Sequence, residues 1–154
     1  MDVETLIEPG AILPDLRANS KKQVLQGLAA KAAEITGISE REIFETILGR
    51  EKLGSTAVGN GIAIPHGKLD GIERIIGVFA RLNRPVDFDA LDDQPVDIVF
   101  LLLAPQGSGA DHLKALSKVA RLLRNRNIVE EIRESRDSHT IYALMTNAMA
   151  QNAA

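Results

Sequence analysis

Residues 96–104 form an almost continuously apolar segment, and this segment constrains the fold more than any other. Its sequence is Val-Asp-Ile-Val-Phe-Leu-Leu-Leu-Ala, in which Asp97 is the one charged residue. A strand with one solvated face alternates apolar and polar side chains, whereas a strand covered on both faces is apolar throughout. The segment therefore predicts a central strand of a sheet that has other elements packed on both of its faces.

Two helices are predicted before this strand, and each begins with a capping box. The pairs are Ser20 with Gln23 and Ser39 with Glu42. At this spacing the serine hydroxyl can accept the backbone N–H three residues later, and the Gln or Glu side chain can accept the backbone N–H of the serine. The apolar residues that follow at helical spacing are Val24, Leu25, Leu28, Ala32 and Ile35 in the first helix, and Ile43, Phe44, Ile47 and Leu48 in the second. Gly37 is the expected end of the first helix, and the second is expected to end at Gly49-Arg50.

Further elements follow along the chain. β-Branched and aromatic residues predict a strand over residues 75–82, with a break at Asn83-Arg84-Pro85. After a turn at residues 105–109, a helix is predicted with Leu113, Leu116, Ala120 and Leu123 on one face. A short helix around Ile128, Val129 and Ile132 and a last helix around Ile141, Leu144, Met145 and Ala148 complete the pattern, with fraying expected over residues 151–154. This order predicts an α/β fold with helices on both faces of the sheet.

The segment 54–68 carries the residues best suited to chemistry. It contains four glycines, the adjacent hydroxyls of Ser55 and Thr56, and His66 between a proline and a glycine. Pro65 fixes its own φ and drives Ile64 into an extended conformation, so His66 is expected at a defined position in a glycine-rich loop. The loop is not a nucleotide-binding P-loop, because no Gly-Lys-Ser/Thr follows at the required spacing.

Composition excludes several classes of function. The formal net charge is −3 with 25% charged residues, which argues against nonspecific nucleic-acid binding. The absence of cysteine excludes disulfides and thiolate zinc sites. No leader pattern opens the chain, and the longest apolar run is far shorter than the roughly 20 residues of a membrane span, so a cytoplasmic protein is expected. Three histidines without a close pair disfavour a metal hydrolase, and no metal or cofactor is expected.

Four motifs resemble the enzyme IIA domains of the fructose/mannitol/nitrogen phosphotransferase class. They are Arg50-Glu-Lys-Leu-Gly-Ser-Thr, Gly59-Asn-Gly-Ile-Ala-Ile-Pro-His66-Gly-Lys-Leu, Asp89-Ala-Leu-Asp-Asp-Gln-Pro-Val-Asp97 and Asp111-His112-Leu113. The resemblance covers about residues 20–142, and the Gly-Lys-Leu after His66 is most similar to the nitrogen-type branch. It implies a mixed sheet in a single domain over residues 1–154, with an ordered core at about 5–150.

The resemblance also implies roles for individual residues. His66 would accept a phosphoryl group through Nε2, while Arg50 and His112 would assist the transfer. From the chemistry of the segment itself, Ser55, Thr56 and the N–H groups of the loop, including that of Gly67, are the expected holders of phosphate oxygens, since successive N–H groups can form an anion-binding nest. The residues themselves leave other interpretations open: Arg50 could simply offset a helix dipole, His112 could be a core histidine, and the two hydroxyls could satisfy a turn. His112 precedes Leu116 by four residues and Val119 by seven, so it can point toward the sheet.

The implied function is that of a phosphoryl-carrier regulatory protein that receives phosphate from a phosphohistidine carrier, an HPr-like donor. Downstream targets implied by the resemblance include potassium transport and sensor proteins. The donor is expected to dock on an apolar rim of Ile62, Ile64 and Leu69. Two alternatives stay open: an enzyme IIA of a fructose/mannitol-type sugar system that passes phosphate to an enzyme IIB, and a non-catalytic binding module.

Overall fold

The computed structural model describes residues 6–152. The strands are β1 (Ile12–Leu16), β2 (Ala57–Gly59), β3 (Ile62–Ala63), β4 (His66–Leu69), β5 (Ile76–Val86) and β6 (Val96–Pro105). The helices are α1 (Lys21–Thr36), α2 (Glu40–Lys52), α3 (Gly109–Leu123), α4 (Arg126–Arg133) and α5 (Ser138–Asn152). A short 3₁₀ helix, Pro9–Ala11, precedes β1.

The six strands form one mixed sheet with β6 at its centre. The order is β1-β5-β6-β3-β2, and β4 also pairs with β6. Strand β6 runs antiparallel to β5 and parallel to β3 and β4, while β1 and β5 are parallel. The apolar segment is therefore the central strand that the sequence predicts, and the expected mixed sheet is confirmed.

Side chains of β5 and β6 alternate between two separate cores. Phe79, Phe100 and Leu102 belong to the core beneath α3, α4 and α5. Val99 and Leu101 belong to the core beneath α1 and α2. Since a strand presents successive side chains to opposite faces, a continuously apolar strand supplies both cores, and the prediction of helices on both faces is confirmed.

The predicted helix starts are confirmed, whereas the predicted end of α2 is wrong. The hydroxyls of Ser20 and Ser39 accept the backbone N–H groups of Gln23 and Glu42, and Gly37 ends α1 at a φ of 76°. Helix α2 continues past Gly49-Arg50 to Lys52. One glycine in a helix costs only about 1 kcal/mol relative to alanine, so Gly49 does not end the helix, and Arg50 lies in its last turn.

The strand boundaries contain two differences from the sequence predictions. Strand β5 continues through the expected break at residues 83–85 and ends at Val86. Its register with β6 shifts between Arg81 and Val86, and this irregularity accommodates Pro85, which has no N–H to donate. Strand β1 was not predicted at all. It contains Pro14, a residue tolerated in sheets mainly on edge strands such as this one.

Two expectations for the C-terminal helices also differ from the structure. The inward stripe of α3 consists of His112, Ala115, Val119, Leu122 and Leu123. Leu113 was predicted to share the buried face, but it is 69% exposed, because it is offset from the stripe by one position of the helix. Residues 151 and 152 continue α5, contrary to the predicted fraying, and residues 153–154 lie outside the described part of the chain.

Candidate functional site

The glycine-rich segment 54–68 lies mostly in the sheet, so the prediction that it forms a loop is wrong. Strands β3 and β4 pair with β6 in a single continuous register, in which Ala63 opposes Val99 and His66 opposes Leu102. Pro65 interrupts the ladder because it has no N–H, yet its carbonyl still accepts the N–H of Leu102 at 3.0 Å. His66 therefore begins a strand and has a rigid backbone.

The ring of His66 is fixed by its own main chain. Its Nδ1 lies 2.9 Å from the carbonyl oxygen of Ile64. A carbonyl oxygen only accepts hydrogen bonds, so Nδ1 must carry the proton. The neutral ring then has its lone pair on Nε2. This contact makes Nε2 the nucleophilic atom of His66 and leaves Nδ1 unable to attack an electrophile.

His112 lies directly beside His66 in the first turn of α3. The two ring centroids are 5.6 Å apart, and the rings meet edge to face at 75°. Burial lowers the pKa of His112 below its ordinary value of 6.5, and the nearby His66 and Lys68 lower it further. Nε2 of His112 is buried and has no hydrogen-bond partner among the described residues. An unpartnered buried polar atom is costly, which is typical of a site that a ligand completes.

Arg50 and His66 line a common cavity of about 300 Å³. Nη1 of Arg50 donates to the carbonyl oxygen of Gly54 at 2.9 Å, a bond that uses one of the five guanidinium N–H donors. Ile64, Leu116 and Ala120 supply an apolar wall. The cavity thus combines a nucleophilic nitrogen with a permanent cation, an arrangement suited to an anionic electrophile.

Ser55 and Thr56 line the same cavity, but their hydrogen-bonding groups already have partners. The Ser55 hydroxyl donates to the carbonyl oxygen of Phe88 and accepts the N–H of Ala57 at 3.1 Å. The Thr56 hydroxyl and N–H both donate to the carboxylate of Glu51. Binding of phosphate oxygens by either hydroxyl therefore requires exchange of an existing hydrogen bond.

A side chain at Gly67 would face the opposite side of the sheet from the imidazole of His66. It opposes Leu103, whose side chain belongs to the core beneath α1 and α2. A Cβ at Gly67 would approach the Cγ2 atom of Thr46 in α2 to 3.0 Å. This close approach of α2 accounts for a glycine after His66 without any contact to phosphate.

The expected apolar docking rim is wrong. Ile62, Ile64 and Leu69 are 4%, 4% and 2% exposed, because they are packed in the two cores and offer almost no surface to a partner. Among the exposed apolar side chains, Val58 lines the cavity and is 58% exposed, and Leu113, which follows His112, is 69% exposed.

Sequence reasoning missed two parts of the site. The Ile64 carbonyl that selects the tautomer of His66 is a backbone group and has no sequence signal. Glu51, which holds Thr56, could have been suspected from its position, since an acidic residue in the last turn of a helix opposes the helix dipole.

The described residues provide neither a metal site nor a membrane span. Within residues 6–152, no group of three or more histidine, aspartate or glutamate side chains is arranged to hold a metal ion. No helix in the same range is long and apolar enough to cross a bilayer.

Comparison with known proteins gives a family match over nearly the whole chain. Residues 5–148 match the model of the family described as "Phosphoenolpyruvate-dependent sugar phosphotransferase system, EIIA 2". The chain belongs to this family. A nitrogen regulatory protein of Bradyrhizobium diazoefficiens is 62% identical to this EIIA chain over 145 residues, which are 94% of the chain and 95% of that protein.

Two solved structures agree with the observed fold. The crystal structure of nitrogen regulatory protein IIA-Ntr from Neisseria meningitidis has a TM-score of 0.86 and 34% identity, with 92% of this chain and 97% of that one covered. The Escherichia coli mannitol enzyme IIA, solved in complex with phosphorylated enzyme IIB, has a TM-score of 0.79, with 92% and 99% covered. Its identity is 18%, so it supports the EIIA fold alone.

Proposed function

We propose that this EIIA chain is a phosphoryl-carrier regulatory protein of the phosphoenolpyruvate-dependent phosphotransferase system. It accepts phosphate on Nε2 of His66 from a phosphohistidine carrier protein of the nitrogen-type HPr class, and it signals by contact with other proteins. The observation that carries the proposal is the bond from Nδ1 of His66 to the Ile64 carbonyl, which leaves the Nε2 lone pair free. We also propose that residues 1–154 form a single EIIA-type domain.

The transfer needs no added reagent beyond the donor. The lone pair of Nε2 attacks phosphorus, the new N–P bond forms, and the N–P bond to the donor ring breaks with its electron pair returning to the donor nitrogen. If the donor ring enters with its other nitrogen protonated, it leaves as a neutral imidazole. His66 keeps its Nδ1 proton and becomes the cationic ring, which the Ile64 carbonyl oxygen stabilises.

Arg50 and His112 have distinct roles in this proposal. The guanidinium of Arg50 stabilises the equatorial oxygens of the transferring phosphoryl group, where charge stabilisation matters more than covalent chemistry. His112, neutral because burial lowers its pKa, donates a hydrogen bond from the unpartnered Nε2 to a phosphoryl oxygen. The hydroxyls of Ser55 and Thr56 keep their present partners and form part of the cavity wall, and Gly67 acts by letting α2 pack closely.

The donor contacts an exposed surface that includes Val58 and Leu113. These side chains are well exposed and lie on the two elements that flank the site, β2 and α3. An exposed apolar side chain in the middle of an interface contributes most when the partner covers it completely. We expect Leu113→Glu to weaken donor binding and to leave the chemical step unchanged at saturating donor.

The relatives and the chemistry of phosphorylation support the proposed regulatory role. A phosphoryl group adds close to two negative charges to His66, so partner binding should differ between the two states. Targets such as potassium transport or sensor proteins are proposed on the family resemblance. The alternative, a sugar-system component, predicts instead that phosphate moves on from His66 to an enzyme IIB.

Labelled phosphoenolpyruvate and the general phosphotransferase proteins test the proposal directly. The wild-type protein should incorporate acid-labile phosphate, and His66→Ala should abolish incorporation without unfolding the protein. His139→Ala is the matched control, because His139 is exposed in the first turn of α5. Stoichiometric phosphate on His66→Ala would show that the site is wrong. No phosphate on the wild-type protein would favour the binding module.

A further inference from the structure

Glu51 is a buried carboxylate to which the proposed transfer assigns no role. Its side chain is 2% exposed and forms an ion pair with Lys21, with Nζ at 2.8 Å from Oε2. The same carboxylate accepts the Thr56 hydroxyl and, at 3.3 Å, the Thr56 N–H. Removing a carboxylate from water is costly unless its lone pairs are satisfied, and here three donors satisfy them.

Both members of this ion pair occupy helix positions that local preferences disfavour. Lys21 is the first residue of α1, where the helix dipole disfavours a cation, and Glu51 is in the last turn of α2, where it disfavours an anion. Residues that violate local rules are expected where tertiary structure or function compensates them. The compensation here is the pairing of two helix ends beside the phosphate-accepting segment.

The pair also reaches Ser55 through the main chain of Phe88. The carbonyl oxygen of Phe88 accepts the Ser55 hydroxyl and lies 3.5 Å from Nζ of Lys21. The ammonium group is 5.1 Å from the centre of the Phe88 ring. Ser55 and Thr56, the two hydroxyl residues of the cavity, are thus connected to the same ion pair.

We propose that the Lys21–Glu51 pair is a positioning element for phosphoryl transfer, an inference that depends on the proposed function. Glu51 holds Thr56, and Lys21 with Phe88 holds Ser55, so that both line the cavity that His66 also lines. Lys21 also neutralises Glu51, whose charge would otherwise repel an incoming phosphoryl group. Neither residue touches the reacting atoms, and both act through the 55–56 segment.

Single-turnover transfer from the phosphorylated carrier tests this inference. Glu51→Gln keeps the shape of the side chain but removes the charge and one acceptor. We expect the rate constant at saturating donor to fall about 10- to 100-fold, the scale that a small misplacement of a catalytic group produces. The half-saturating donor concentration should be unchanged, and the ³¹P shift of phosphorylated His66 should move.

Variants of Thr56 provide a second test that leaves the Lys21–Glu51 ion pair in place. Thr56→Val removes the hydroxyl with little change in shape and should slow transfer, whereas Thr56→Ser should restore the rate. Because the Thr56 hydroxyl acts through its bond to the Glu51 carboxylate, Glu51→Gln combined with Thr56→Val should be no slower than Glu51→Gln alone.

The matched control is Asp15→Asn, which weakens a partly buried ion pair between Asp15 on β1 and Arg81 on β5. Strands β5 and β6 lie between β1 and β4 in the sheet. It should lower thermal stability without changing the transfer rate. Wild-type rates in Glu51→Gln and Thr56→Val would overturn the inference and leave the proposed function standing. The inference would also be overturned if the loss of transfer rate were proportional to the loss of thermal stability in every variant, the Asp15→Asn control included. A wild-type protein that accepts no phosphate would overturn both.

Discussion

The unpartnered Nε2 of His112 leads to a quantitative prediction for the phosphoryl-transfer equilibrium. In the unphosphorylated protein this atom has no hydrogen-bond partner among residues 6–152. Replacing His112 by Phe therefore removes no hydrogen bond of that atom from the free form. In the phosphorylated form, the same replacement removes a proposed hydrogen bond to a charged phosphoryl oxygen. The whole effect should appear as a difference between the two states.

The expected size follows from that asymmetry. A hydrogen bond to a charged group contributes about 1.5–3 kcal/mol net. At about 1.4 kcal/mol per factor of ten, the equilibrium between phosphorylated donor and phosphorylated His66 should shift toward the donor by about 10- to 150-fold. Donor affinity should change little, because the ring is buried at 7% exposure and offers almost no surface to a partner.

The assay is the equilibrium distribution of phosphate between the carrier and this protein, measured by ³¹P NMR from either direction. His112→Gln places an amide donor near the position of Nε2 and should recover part of the lost equilibrium. His139→Ala, at an exposed histidine, should have no effect. An unchanged equilibrium constant in His112→Phe would refute the proposed hydrogen bond and make His112 a core residue of α3.

Three further predictions concern the site and the fold. Arg50→Lys should slow transfer in both directions by about 10²-fold or more, the scale of a lost electrostatic stabiliser, and equal slowing by rapid-quench measurement in both directions would confirm it. Burial holds the pKa of His112 below its unfolded value of 6.5, so the unfolded state binds more protons than the folded state as the pH falls through 6.5. The free energy of unfolding should therefore decrease in that range, and urea titration at several pH values should show a smaller decrease for His112→Phe than for the wild-type protein. Gly77→Ala should destabilise the protein by about 1–3 kcal/mol, because its Cβ would lie 2.6 Å from the Leu6 carbonyl oxygen. Gly49→Ala, with open space around it in α2, should stabilise by up to about 1 kcal/mol; chemical denaturation giving both glycine variants the same sign would contradict the argument.

The sequence predicted the elements that depend on local chemistry. Ser20 and Ser39 cap α1 and α2 because their hydroxyls bond to N–H groups three residues later, a contact within one turn. The apolar run of β6 predicted a central strand with both faces covered, since its composition leaves no polar face. Helices α4 and α5 follow from their apolar spacing in the same way. For these elements, neighbouring residues carry the whole signal.

The predictions from sequence were wrong where a distant part of the chain decides the secondary structure or the burial of a residue. Strand β1 exists because β5 offers an edge to pair with, and its Pro14 masks it from local reasoning. The segment around His66 is a strand because β6 supplies the ladder, although its glycines and Pro65 suggest a loop. Leu113 is exposed and Ile64 buried for the same reason: the register of each element against the sheet fixes which side chains point inward.

For the candidate site, the sequence by itself determined which residues are present, and the tertiary structure decided what each can do. Arg50, His66 and His112 could be named from motifs, because the side-chain types already limit the chemistry. The pairing of Glu51 with Lys21 and the placement of His112 beside His66 join groups far apart in the chain, whereas the tautomer of His66 depends on a carbonyl only two residues away whose direction the fold sets. Hydrogen bonding and desolvation depend on which groups meet in space, and packing of the five helices on the sheet alone brings these together.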